Sequence, residues 1–168
     1  MFKEELDLIA RDDIRSFTEA VITAAPQYAF VDCPSSSSRK YHNSDELGGD
    51  GTIVHTKRVV GAALSIGRMH GCDQFMDHIV SACILHDLAK QGLEKSGHTV
   101  KDHAQVMAEF LLNFYGALPE KDFDIIRNCV YYHYGQWTVK RANKPLDKFT
   151  DPEWVCHLAD YIASRKQF

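Results

Sequence analysis

An adjacent histidine and aspartate, followed three residues later by a lysine, end the apolar segment Ile84-Leu85-His86-Asp87-Leu88-Ala89-Lys90. An aspartate in such surroundings is costly to bury unless it is paired or bound to a cation. An imidazole beside a carboxylate suits a divalent cation such as Mn, Fe, Co, Zn or Mg. The pair therefore constrains the fold, because other parts of the chain must bring a counter-charge or further ligands to it.

Further histidines occupy helical positions that point toward the core. His55 lies on a helix predicted from Gly51 to about residue 70, and His86 lies on one predicted from about Asp73 to Ala89. Both imidazoles share an apolar stripe that repeats every three or four residues. A hydrogen-bonded core histidine would explain either one alone. Two such stripes together, with Asp87 beside His86, favour a metal site.

Three later helices carry the remaining candidate ligands. A capping-box pattern at Thr99 to Asp102 predicts a helix that runs to about Tyr115, with His103 in its first turn. Pro119-Glu120 begins a helix that ends near His133, and Asp151-Pro152-Glu153, with Asp151 as the cap, begins a last helix that carries Asp160. The spacing thus predicts that all these candidate ligands lie on helices.

No segment alternates with period two, so the predicted fold is all-α, a single compact bundle of about six or seven helices with ligands on facing helices. We expect one domain over residues 1–168. It comprises an N-terminal helical segment at 1–26, a loop near the active site at 27–50 and a metal-binding helical core at 51–168. The loop is long for a compact domain, and long loops are often functional.

Composition limits the cellular setting and the partners. The five cysteines are scattered without a C-x-x-C pair, which predicts buried free thiols in a reducing compartment. No apolar run is long enough to cross a membrane and the first residues lack a signal-peptide core, so we expect a cytoplasmic protein without a membrane partner. The net charge of −4 disfavours long nucleic acid as a partner. A homo-oligomer is left open.

The ordered set His55, His86-Asp87 and Asp160 resembles the HD-domain superfamily of metal-dependent phosphohydrolases. The resemblance covers about residues 50 to 165, and its best local matches are Gly51-Thr52-Ile53-Val54-His55-Thr56, the segment around His86-Asp87, and His157-Leu158-Ala159-Asp160. It implies that His55, His86, Asp87 and Asp160 hold one divalent ion. It also implies that His103 and His133 either hold a second ion, with Asp87 as the bridge, or face the substrate phosphate.

The resemblance further implies hydrolysis of a phosphoester or phosphoanhydride by a metal-activated water, with Asp87 and Lys90 as catalytic residues. Lys90 is expected to neutralise phosphate charge. The expected substrate is a nucleotide, with the protein acting as a nucleotidase or a nucleoside triphosphate hydrolase. Manganese is the ion that we would test first. Residues expected to contact the substrate are Ser37, Lys40, His42 and His98.

Two other functions remain open at this stage. One is a phosphodiesterase or 3′-exonuclease that acts on cyclic or short oligonucleotides, because two-metal members of the superfamily include such hydrolases. The other is a non-catalytic regulator that binds metal or nucleotide. A comparison of the turnover of mononucleotides with that of oligonucleotides would distinguish the first alternative from a nucleotidase. Binding without turnover would identify the second.

Overall fold

The computed structural model describes residues 1–36, 42–138 and 144–165, and within these ranges the chain contains helices and no strands. Six of the α-helices have eight or more residues, which confirms the predicted all-α bundle. The α-helices are α1 (Lys3–Leu6), α2 (Asp12–Ala24), α3 (Tyr28–Val31), α4 (Gly51–Met69), α5 (Met76–Leu85), α6 (His103–Phe110), α7 (Glu120–Tyr132) and α8 (Asp151–Ala163).

Helix α5 is the centre of the bundle. Every residue from His78 to Leu85 is buried, and α2, α4, α7 and α8 all pack against this helix. A helix that is apolar on all sides is stable only when neighbours cover it completely. Each large side chain buried there stabilises the fold by about 1.5–3 kcal/mol relative to exposure. The end of α5 is therefore deep inside the molecule.

The predicted end of this central helix at Ala89 was wrong, because α5 ends at Leu85 and a turn follows. The backbone N–H of Leu88 donates to the carbonyl of Leu85, and that of Lys90 donates to the carbonyl of Asp87. These bonds span three residues rather than four, so the chain tightens as it leaves the helix. His86 and Asp87 consequently lie on a buried turn.

Two predicted helix starts also differ from the structure. Helix α6 begins at His103, and its cap residue Asp102 makes no capping hydrogen bond through its side chain, so the predicted capping box does not begin this helix. Helix α8 is capped by Thr150 rather than Asp151, and the Thr150 N–H donates to the Glu153 carboxylate at 2.7 Å. Both differences shift a helix start without moving His103 or Asp160 off its helix.

The segment predicted as a loop at 27–50 contains more order than its composition indicates. It includes α3 and a 3-10 turn at Ser44–Leu47, and backbone bonds join Cys33 to Gly49 at 2.8 Å and Ser35 to Glu46 at 2.9 Å. A Cβ atom at Gly51 would lie 1.9 Å from the Glu46 carbonyl oxygen, so only glycine permits this close approach. The segment is thereby packed against the start of α4.

The five cysteines are buried and free, as the sequence predicts. The described helices include none that is both long enough and apolar enough to span a membrane.

Candidate metal centre

The structure brings six predicted ligands together from five elements. His55 comes from the second turn of α4, His103 from the first residue of α6, and Asp160 from α8. His86-Asp87 and His133 come from the turns that follow α5 and α7. All are buried except Asp160, whose side chain is 17% exposed. Segments far apart in sequence thus meet at one point.

Asp87 lies at the middle of this cluster, with a different pair of imidazoles facing each carboxylate oxygen. Asp87 Oδ2 lies 3.4 Å from His86 Nε2 and 4.0 Å from His55 Nε2. Asp87 Oδ1 lies 3.4 Å from His103 Nε2 and 3.8 Å from His133 Nε2. The carboxylate is therefore placed between two sets of nitrogen donors.

Backbone carbonyls orient three of the four imidazoles. The Nδ1 atoms of His86, His103 and His133 lie 2.7, 2.9 and 2.6 Å from the carbonyls of Cys83, Val100 and Val130. Because a carbonyl only accepts, each Nδ1 carries the hydrogen, and in the neutral ring Nε2 offers its lone pair. Burial lowers the pKa of His133 to about 3 and also lowers the pKa of His103, so both rings are neutral at pH 7.

These donors fit a divalent cation. Among the described residues, His86 Nε2 and Asp87 Oδ1 are buried without a hydrogen-bond partner, and His103 Nε2 faces His133 Nε2 at 3.3 Å. Lone pairs that converge in a buried site repel one another unless a cation lies between them. Two sets of atoms have the spacing of metal ligands, one in His55, His86 and Asp87, the other in Asp87, His103 and His133. Asp160 adjoins the first set, with Oδ1 at 2.9 Å from His55 Nε2.

Lys90 is the only lysine that reaches this centre among the described residues, and its Nζ contacts Asp87 Oδ2. Burial alone lowers the pKa of Lys90, but the negative charge of Asp87 raises it above its usual value. Burial alone raises the pKa of Asp87, but Lys90 and the imidazoles hold it well below the usual range. The pair is therefore a buried ammonium next to a buried carboxylate.

Comparison with protein families identifies this arrangement. The family model described as HD domain matches residues 52–165, which is more than half of the chain. The chain belongs to the HD-domain family. Comparison with curated proteins and with solved structures gave no match.

One carboxylate of the HD-domain centre was missed by the sequence analysis. Glu46 is fully buried, with Oε2 at 2.6 Å from His42 Nδ1 and 3.5 Å from His55 Nδ1, while Arg58 contacts Oε1. Burial alone raises the pKa of Glu46, but these three partners hold it below its usual range. No helical spacing marks Glu46, because it lies on a 3-10 turn within a polar segment.

His42, Glu46 and His55 also have the spacing of metal ligands. Arg58 already supplies a positive charge to Glu46, and the 2.6 Å separation of His42 Nδ1 from Glu46 Oε2 is a short hydrogen bond. A cation would have to displace both contacts. These three residues are therefore better explained as hydrogen-bonded support behind the metal centre.

A cavity of about 430 Å³ opens over the HD-domain centre. This volume lies in the range of small-molecule sites. Its floor includes Asp87, Lys90, His103 and Asp160, and one wall is aromatic, with Tyr134, Trp137 and Tyr161. The remaining lining residues are Ser36, His42, Thr99, Val100, Lys101, His157, Ser164 and Arg165.

The predicted substrate contacts lie in different places. His42 is buried and lines the cavity, bonded to Glu46. His98 is exposed, with Nδ1 at 3.1 Å from the Ser96 carbonyl, and it is not part of the cavity lining. Ser37 and Lys40 lie outside the described residues. The structure thus brings His42 to the site and does not bring His98 there.

Proposed function

We propose that this protein is a metal-dependent phosphohydrolase whose substrate is a nucleotide. Membership of the HD-domain family supports a metal-dependent phosphohydrolase in general. The observation that carries the proposal is Asp87, a buried carboxylate with both oxygens facing imidazole nitrogens, at the floor of a cavity that also contains Lys90.

His55, His86, Asp87 and Asp160 would hold a divalent ion, and His103 and His133 either hold a second ion or face the substrate phosphate. When bound, such an ion polarises a phosphoryl oxygen and lowers the pKa of a coordinated water. Several ions suit these imidazole and carboxylate donors, and manganese is the one we would test first.

The chain's own residues position the phosphate and balance its charge. The Lys90 ammonium lies on the cavity floor, where it adds positive charge next to the reacting phosphate. The raised pKa of Lys90 keeps this group charged at pH 7. Lys101 and Arg165 add two more cationic side chains to the wall. An anionic substrate is therefore attracted into the cavity even though the whole chain has a net charge of −4.

The aromatic wall supports a nucleotide as the substrate. The rings of Trp137 and Tyr161 are nearly parallel, at 9° with centroids 5.9 Å apart, and both line the cavity. Trp137 is 45% exposed, so part of this ring remains open to a ligand, whereas the Arg165 guanidinium lies over the Tyr161 ring at 4.1 Å from its centroid. Stacking of a base on an aromatic ring contributes about 1–3 kcal/mol to binding. Tyr161 follows Asp160 directly, which places this surface next to the metal centre.

Product analysis tests the proposal. Metal-stripped protein would be incubated with nucleoside mono-, di- and triphosphates, cyclic nucleotides and a short oligonucleotide, with and without Mn. We expect manganese-dependent release of phosphate, pyrophosphate or triphosphate from mononucleotides. Turnover of cyclic or oligonucleotides alone would replace the proposal with a phosphodiesterase. Metal binding without turnover of any substrate would contradict the enzymatic proposal and favour a regulator.

A further inference from the structure

Glu46 faces His42 and His55 on the side away from the cavity. It lies outside the family match, which begins at residue 52. We propose that Glu46 is a positioning residue that orients His55 toward the metal and holds His42 in the cavity wall. The proposal deepens the proposed function, because it rests on His55 being a metal ligand.

The position of His55 in its helix explains why a carboxylate is needed. The imidazoles of His86, His103 and His133 are oriented by carbonyls three residues earlier. These carbonyls lie in the last turn of a helix for His86 and His133, where main-chain carbonyls are available, and before the start of α6 for His103. His55 lies inside α4, where the helix itself uses those carbonyls. Its Nδ1 faces Glu46 Oε2 at 3.5 Å, and its Nε2 faces Asp160 Oδ1 at 2.9 Å. Glu46 is thus the acceptor that lies opposite His55 Nδ1, where the other three rings face a main-chain carbonyl, and its 3.5 Å separation is longer than the 2.6–2.9 Å hydrogen bonds of those rings.

The same carboxylate sets the orientation of His42. Its Nδ1 lies 2.6 Å from Glu46 Oε2, and the two imidazole rings of His42 and His55 meet edge to face with centroids 4.9 Å apart. His42 lines the cavity. The buried carboxylate of Glu46 therefore determines the ring orientations of two histidines, His55 at the metal centre and His42 in the cavity wall.

Several contacts hold Glu46 in place. Arg58, one helical turn after His55, contacts Glu46 Oε1 and balances its charge. The Ser35 hydroxyl donates to Glu46 Oε2 at 3.2 Å, and the Ser35 N–H donates to the Glu46 carbonyl at 2.9 Å. A carboxylate without exposure is retained only when its partners compensate for lost hydration. A side chain held this firmly is suited to fixing the direction of an imidazole.

The primary test is the metal dissociation constant of Glu46→Gln, measured by equilibrium dialysis with Mn²⁺. An amide has the shape of the carboxylate but is uncharged and has only one oxygen, so it cannot accept from the two imidazoles at one end and from the Arg58 guanidinium at the other. Loss of an outer-shell partner typically weakens metal binding about 10- to 100-fold, and we expect a loss in this range. Unchanged affinity in the folded variant would overturn the proposal.

The matched control is Asp45→Asn. Asp45 contacts the same guanidinium of Arg58 at 3.0 Å, but its side chain is 56% exposed and it faces neither histidine. Metal affinity should therefore stay within about twofold of the wild type, since exposed ion pairs contribute little. An equal loss in both variants would mean that Arg58, rather than the orientation of His55, is responsible, and would contradict the proposal.

A double-mutant cycle with His55→Ala separates positioning from a general structural role. If Glu46 acts through His55, then adding Glu46→Gln to His55→Ala causes no further loss of metal affinity. Fully additive losses would contradict the proposal. Because the readout is metal binding, it is distinct from turnover: failure of catalysis with these results intact would overturn only the proposed function, whereas a wild type that binds no metal would overturn both.

Discussion

Single atoms decide the chemistry of this HD-domain protein. Asp87 is charged in a buried site because Lys90 and the surrounding imidazoles hold its pKa well below the usual range, although burial alone raises it. His55 is its counterpart: burial alone lowers its pKa, but the carboxylates of Asp160 and Glu46 raise it to about 9. The centre is therefore an array of charges and lone pairs that are balanced against one another, and a change to one atom alters the others.

Asp87→Asn tests this balance at the residue scale. The amide keeps the size of the side chain but places an N–H₂ group where a lone pair faces an imidazole, so we expect metal affinity to fall by more than about 100-fold, the upper end for loss of an outer-shell partner. Equilibrium dialysis measures this loss, and manganese-dependent turnover should disappear with it. The control is Asp147→Asn, whose side chain is 71% exposed. Full turnover by the variant in metal-stripped buffer would refute the model.

At the scale of elements, the ends of helices deliver the site. His86 and His133 each follow the last residue of a helix, where free carbonyls orient their rings. The turn after α7 then brings Trp137 over α8. Gly135 permits this turn, with φ +55°, and a Cβ atom there would lie 2.2 Å from the His157 ring. The aromatic wall of the cavity thus depends on a tight turn and a helix meeting next to the metal centre.

Trp137→Ala tests the role of this wall. Loss of about 1–3 kcal/mol of stacking corresponds to a rise of about 5- to 150-fold in KM for a nucleotide. Trp137→Phe should restore most of the affinity because a ring remains, and turnover of ribose 5-phosphate, which has no base, should not change. Trp154→Phe serves as the control, since Trp154 is on α8 but does not line the cavity. Equal losses for ribose 5-phosphate and the nucleotide would argue against stacking.

At the scale of the whole molecule, the N-terminal helices pack on the HD-domain core through buried apolar side chains such as Ile14 and Phe17, and a few polar contacts supplement this packing. The Asp77 carboxylate accepts from the backbone N–H groups of Ala10 and Arg11, at 3.0 and 2.9 Å. Asp122 on α7 contacts the Arg11 guanidinium at 2.7 Å and His78 Nε2 at 2.8 Å. Residues 1–24 lie outside the family match, so these contacts join a segment that the family model does not cover to the part of the chain that it does.

Asp122→Asn measures how strongly that segment is held. Hydrogen bonding to Arg11 lowers the pKa of Asp122 to about 2. The carboxylate therefore stabilises the fold at pH values above its unfolded pKa of about 3.9, and this stabilisation is lost as pH falls through about 2. We expect urea unfolding at pH 7 to show a loss of about 1–2 kcal/mol in the free energy of unfolding.

The difference between variant and wild type should shrink as the pH falls below about 4, because the unfolded wild type then takes up a proton at Asp122. It should vanish only below about pH 2, where the folded state is protonated there too. Asp124→Asn, an exposed change on the same helix, should leave the free energy of unfolding within about 0.5 kcal/mol of the wild type. A loss that stays constant from pH 7 to pH 3 would show that the ion pair is not its cause.

By itself the sequence determined the all-α class, the family, and the six residues that converge on the centre, because helical spacing indicates on which face or near which end of a helix an imidazole or a carboxylate lies. It could not place side chains on turns and loops, which follow no period. Tertiary structure alone decided that Glu46 lies behind His55, that His98 stays outside the cavity, and that His86-Asp87 lies on a turn. The physical reason is that a helix positions its side chains locally, whereas a loop residue is positioned by whatever packs against it.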